Sequence, residues 1–98
     1  MYNKFNYKLS GTNYQVWLRT AEYADGSLAV RMMCHEGPFA NLSVYVEPLQ
    51  GNHIAVDTNN MPEAEKFILD NNLGKPTGQF VASGYCVYPV YEMFVDKF

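Results

Sequence analysis

Only one stretch of this chain, from Asn60 to Leu73, carries apolar residues at helical spacing, and most of the remainder alternates with period two. A chain patterned this way can build one helix and must otherwise make sheet, which points to an α+β domain. The helix carries its own signals. Asn60 is a natural N-cap, Pro62 falls in the first turn where its missing N–H costs nothing, and Glu63 completes a capping-box spacing with Asn60. Ala64, Phe67, Ile68 and Leu73 fall near one face, while Glu63, Lys66 and Asp70 point away. Gly74 followed by Pro76 marks the stop.

The strands come in sequence around it. Phe5, Tyr7 and Leu9 alternate with Lys4, Asn6 and Lys8, and Ser10-Gly11-Thr12-Asn13 reads as a turn. A β-rich segment from Tyr14 to Tyr23 meets Asp25-Gly26, a hairpin signal that folds it onto Leu28–His35. A two-residue loop there pairs Trp17 with Cys34 and turns Trp17, Ala21 and Tyr23 inward. A three-residue loop with a bulge reverses the faces and buries Val16 and Leu18, and the pattern alone leaves both open. Ala40, Leu42, Val44 and Val46 alternate as a fourth strand paired with the third, and His53–Asp57 is a fifth with Ile54 and Val56 inward. After the helix the chain returns from Phe80 to Tyr88 and closes through Tyr91, Met93 and Val95, with a bulge expected at Gly84 and an edge or bend at Pro89. The expected architecture is one domain over residues 1–98: a mostly antiparallel sheet of five or six strands in the order β-β-β-β-β-α-β, with a single helix on one face.

Composition narrows the function classes. The net charge is −3, and the seven basic residues are dispersed along the sequence with no run to neutralise phosphates, so no direct nucleic-acid partner is expected. No apolar run reaches the roughly 18 residues of a membrane span and the first residues lack a signal-peptide core, so the expected location is cytoplasmic, with no membrane partner. Cys34 and Cys86 read as inert buried thiols, and Cys34-His35-Glu36 does not read as a catalytic group because neighbours on a strand point to opposite faces. With no metal-ligand spacing and no glycine-rich phosphate loop, no metal, cofactor or catalytic residue is expected, and the chain is not read as an enzyme.

The feature that stands out is an aromatic content of 15%, led by eight tyrosines. Cross-strand packing accounts for tyrosine in sheets in general, but Tyr85, Tyr88, Tyr91 and Phe94 crowd around Gly84 and Pro89, which interrupt regular pairing. These four are the expected partner-binding residues, on the ground that tyrosine gives large contact area at low entropy cost.

Several segments carry a resemblance: Tyr23-Ala24-Asp25-Gly26-Ser27-Leu28-Ala29-Val30, Phe39-Ala40-Asn41-Leu42-Ser43-Val44, Val56-Asp57-Thr58-Asn59-Asn60, Pro62 to Ile68, Asn72-Leu73-Gly74-Lys75-Pro76-Thr77-Gly78 and Ser83-Gly84-Tyr85-Cys86-Val87-Tyr88-Pro89. Together they resemble a family of small proteins of unknown function carried on plasmids, phages and conjugative elements of anaerobic bacteria. The resemblance implies a non-enzymatic binder, monomeric or homodimeric, whose protein partner is a host defence effector or nuclease of a CRISPR or restriction system. Two alternatives stay open: a small-ligand or nucleotide-binding protein with a helix/sheet pocket near Asp57, Asn59 and Tyr85, and a structural accessory protein that oligomerises through an edge strand.

Overall fold

The computed structural model describes residues 2–98. Its strands are β1 (Phe5–Leu9), β2 (Thr12–Glu22), β3 (Leu28–Cys34), β4 (Gly37–Asn41), β5 (Ser43–Val44), β6 (His53–Val56), β7 (Gly74–Ser83) and β8 (Cys86–Met93). The helix α1 (Ala64–Asp70) lies between β6 and β7, and a short 3-10 turn at Val95–Lys97 follows β8. All pairings are antiparallel, so the α+β class stands. The single sheet does not: there are two four-stranded sheets, ordered β1-β2-β3-β4 and β5-β6-β8-β7.

Two local events split the expected sheet. At Leu42 the alternating segment that reads as one strand changes sheets. The Leu42 N–H donates to the Val30 carbonyl of the first sheet (3.0 Å), and its own carbonyl accepts from the Asp57 N–H beside the second (3.0 Å). Just before this corner a bulge on β4 pairs Met32 with Ala40 but Met33 with Pro38, which lets both Phe39 and Ala40 turn towards the core. The second event is at Gly84. What reads as a bulged strand is a hairpin, with Ser83 opposite Cys86 and Gly84 at φ +60° in the first loop position, where a type II′ turn requires glycine. Pro89 therefore lies within a strand, at a point beyond Val90 where β6 no longer pairs with β8 and no donor is missed on that side.

The Asp25-Gly26 hairpin takes the three-residue loop. The Tyr23 N–H donates to the Ser27 carbonyl and the Gly26 N–H to the Tyr23 carbonyl, with Gly26 at φ +88°. Val16 then faces Cys34 and Leu18 faces Met32, and both Val16 and Leu18 are completely buried. Each of these two aliphatic side chains gains about 1.5–3 kcal/mol inside, and the register that would have turned Trp17, Ala21 and Tyr23 inward in their place is not formed.

The helix is shorter than its signals suggest. Asn60 does not cap it: the Asp57 carboxylate accepts from both the Asn60 N–H and Nδ2, closing a separate turn. Glu63 does not reach back either, because its carboxylate accepts the Tyr7 hydroxyl. At the other end Leu73 N–H donates to the Ile68 carbonyl with Asn72 at φ +54°, so Asn72 rather than Gly74 makes the left-handed stop. Gly74 instead opens β7, where a Cβ would lie 2.8 Å from the Glu92 carbonyl oxygen.

One core joins these layers. Tyr7, Val16, Leu18, Val30 and Met32 from the first sheet meet Ile54, Val56, Tyr91 and Met93 from the second and Phe67 and Ile68 from the helix. A smaller cluster of Ala55, Val81, Tyr88 and Val90 forms on the opposite face of the second sheet, with Val46 and Leu49 packed over it. No helix among the described residues is long and apolar enough to cross a membrane.

Candidate functional site

The hairpin of β7 and β8 runs past the second sheet as a two-stranded ribbon, because β6 pairs with β8 only from Val90 to Glu92. Strand alternation then scatters the four expected contact residues. Tyr85 stands in the ribbon's turn, fully exposed. Tyr88 turns to one face and is 8% exposed, in the small cluster with Val81 and Val90. Tyr91 lies on the other face, 1% exposed in the main core, its hydroxyl donating to Glu65 Oε1 at 2.7 Å. Phe94 lies beyond the strand, half-buried, with Lys97 Nζ 5.6 Å above its ring. Tyr88 and Tyr91 are thus packing residues and not an open surface, a correction that follows from period two: three residues apart on a strand means opposite faces.

What the ribbon does expose is Phe80 and Val87, on one face beside the fully open Tyr85. Phe80 pairs with Pro89 and Val87 with Ala82, so both project to the same side. Reading Ser83-Gly84-Tyr85-Cys86 as a two-residue turn is the signal that finds them, since that register places Phe80 and Val87 together. On the buried face, the Cys86 thiol, burial and the Asp57 carboxylate together hold the Tyr88 hydroxyl above the ordinary phenol range.

A second, polar cleft of about 280 Å³ lies at the corner between the sheets, lined by Tyr23, Arg31, Ser43, Tyr45 and Asp57. Arg31 apart, these polar side chains are committed to hydrogen bonds. The Tyr23 and Ser43 hydroxyls are 2.9 Å apart, the Val30 N–H donates to Ser43 Oγ, and the Tyr45 hydroxyl donates to Asp25 Oδ2 at 2.7 Å. Hydrogen bonds from Ser27 and then from Tyr45 hold the Asp25 carboxyl below the usual carboxylate range. The pocket expected near Asp57, Asn59 and Tyr85 is not assembled: Asp57 lines this cleft with its carboxylate held by Asn60, and Tyr85 stands in the open at the ribbon's end.

Cys34 and Cys86 are free and half-buried; Cys34 packs on the main core while His35 is exposed. Among the described residues no group of three His, Cys, Asp or Glu side chains is arranged to hold a metal ion.

No curated protein and no solved structure matches the chain. The family described as a domain of unknown function, DUF4313, matches residues 17–98, which takes in everything from the middle of β2 onward, including the whole second sheet, the helix and the ribbon, and leaves β1 outside. On that coverage the chain belongs to the DUF4313 family.

Proposed function

We propose that this protein is a non-enzymatic binding module that docks a protein partner through the free end of the β7–β8 ribbon. The observation that carries the reading is Tyr85, fully exposed in the turn with Phe80 and Val87 open beside it. A two-stranded ribbon is of marginal stability in water, and three bare apolar side chains on it gain from being covered. Tyrosine and phenylalanine also supply contact area while few rotatable bonds are frozen, the chemistry of interface anchors. The partner that fits is a protein with an apolar recess able to admit an aromatic tip. The resemblance to proteins of mobile elements extends the proposal to a host defence effector or nuclease in the cytoplasm, inhibited by occlusion.

The test replaces Tyr85 with a photo-crosslinking amino acid in the native host. One discrete heterologous adduct is expected, lost when Phe80→Ser and Val87→Ser are added, and not formed when the crosslinker stands at exposed Leu69 of the helix instead. An adduct of twice the chain's own mass would replace this reading with self-association. The same adducts from both positions, or none, would discard it.

A further inference from the structure

The basic residues are dispersed along the sequence, but folding gathers four of the seven onto one surface. Along β1 and β2 the core takes Tyr7, Val16 and Leu18, so the intervening positions Lys8 and Arg19 face outward, with Lys4 continuing the alternation just before β1. On β3 the same alternation puts Arg31 outward between buried Val30 and Met32. All four are exposed on the side of the first sheet opposite the core, and only towards the corner between the sheets, where Ala29 is buried beside Tyr23 and Tyr45, is this side covered. Glu22, the single acidic residue in the four strands of this sheet, has the parity of Val16 and Leu18, and Asp25 and Glu36 lie in the turns at the strand ends. Carboxylates approach only at the margins, where Glu22 and Asp57 line the cleft that Arg31 borders and Glu63 and Asp70 the depression that Lys8 borders. The rest of the molecule therefore holds three basic against ten acidic side chains, all of the acidic ones but buried Asp57 at least partly open to solvent.

Within this face Arg19 and Arg31 are direct cross-strand partners. Like charges so placed destabilise a sheet, and among the described residues neither guanidinium lies within 4 Å of a carboxylate. A face serving solvation alone would place a carboxylate opposite one of them. Trp17, the sole tryptophan, is half-exposed on the same face, two residues before Arg19 and opposite Met33. Asn6, Gln15 and Asn41 add amide groups around it, and a depression of about 500 Å³ runs past Arg19, Arg31 and Asn41.

We propose that the outer face of the first sheet binds single-stranded nucleic acid, with phosphates against Arg19, Arg31, Lys4 and Lys8 and a base stacked on Trp17. Charge complementarity calls for a polyanion. The half-exposed indole and the amides select bases over an acidic peptide, because stacking on an aromatic plane needs a π-face that Asp and Glu do not have. The open face offers neither helix nor protruding ribbon to a duplex groove, which favours a single strand. This surface is separate from the ribbon end and independent of its proposed role.

Trp17, as the only tryptophan, reports directly on its own site. Titrating the full chain with oligo(dT) at low salt is expected to quench its fluorescence, with log K against log salt falling at a slope of about −3, or roughly 0.7 for each of four phosphates. Arg19→Gln with Arg31→Gln should halve that slope and weaken binding about tenfold or more, while the melting temperature holds or rises because a repulsive pair is removed. Lys4→Gln with Lys8→Gln should reduce the slope similarly, which keeps the test open if the arginine variant fails to fold. Lys75→Gln removes a basic charge from the second sheet and should change binding little. Absence of quenching, equal loss in the control variant, tighter binding to duplex of the same length, or equal binding to polyglutamate would each overturn the proposal, the last in favour of an acidic protein partner.

Discussion

Tyr7 and Tyr91 show how a residue type can be visible in the sequence while its role is not. Both rings enter the core and both hydroxyls end on helix-side carboxylates, Tyr7 on Glu63 Oε1 at 2.9 Å and Tyr91 on Glu65 Oε1 at 2.7 Å. Burial first, and then the hydrogen bond and charge of the carboxylate, push both phenols well above their ordinary range. A folded-state value above the unfolded one means stability that is complete below about pH 10 and lost as the pH climbs beyond it. The urea midpoint should therefore stay level from neutral pH to about pH 9 and fall above about pH 10. Tyr91→Phe should lower the stability at neutral pH by about 1 kcal/mol for the lost hydrogen bond and make the alkaline fall shallower. An unchanged alkaline limb would remove Tyr91 as a cause. Counting eight tyrosines identifies packing or interface material, but only strand parity and turn position separate buried Tyr91 from open Tyr85.

At the scale of elements, the helix and the first hairpins were legible and their ends were not. Ser10-Gly11 makes the turn between β1 and β2 with both residues at positive φ, and Ala64, Phe67 and Ile68 form the buried stripe of α1, all as the sequence suggests. The capping groups, by contrast, were claimed by other partners: Glu63 by Tyr7, 56 positions away, and Asn60 by Asp57, three positions before it. The Asn72 stop is testable because it holds a left-handed residue without glycine. Asn72→Gly should be neutral or stabilise by up to about 1 kcal/mol, and Asn72→Val should cost about 1–2 kcal/mol, both read from urea unfolding. A clear loss with glycine would contradict the left-handed account of this terminus.

For the molecule as a whole, Leu42 is where two sheets become one domain. Its side chain is completely buried and its backbone bonds to both sheets within a single residue. Leu42→Ala should cost about 2–5 kcal/mol in urea unfolding, a large part of the 5–15 kcal/mol that holds a domain of this kind together. A loss under about 1 kcal/mol would mean that the sheets are joined elsewhere. The same folding event creates the charge asymmetry, since four basic residues separated by up to 27 positions come onto one face only when β1, β2 and β3 align.

The sequence by itself determined the α+β class, the single helix with its buried stripe, the tight turns at Ser10-Gly11 and Asp25-Gly26, and the inward positions of Ile54 and Val56. These are local quantities: periodicity over a few residues and the freedom of glycine to take positive φ. The tertiary structure alone decided the register of the Asp25-Gly26 hairpin, the sheet change at Leu42, the ribbon beyond β6 and the gathering of Arg19, Arg31, Lys4 and Lys8. Each depends on which of several locally acceptable arrangements buries the most apolar surface while leaving no backbone group unpaired, a comparison made across the whole core at once.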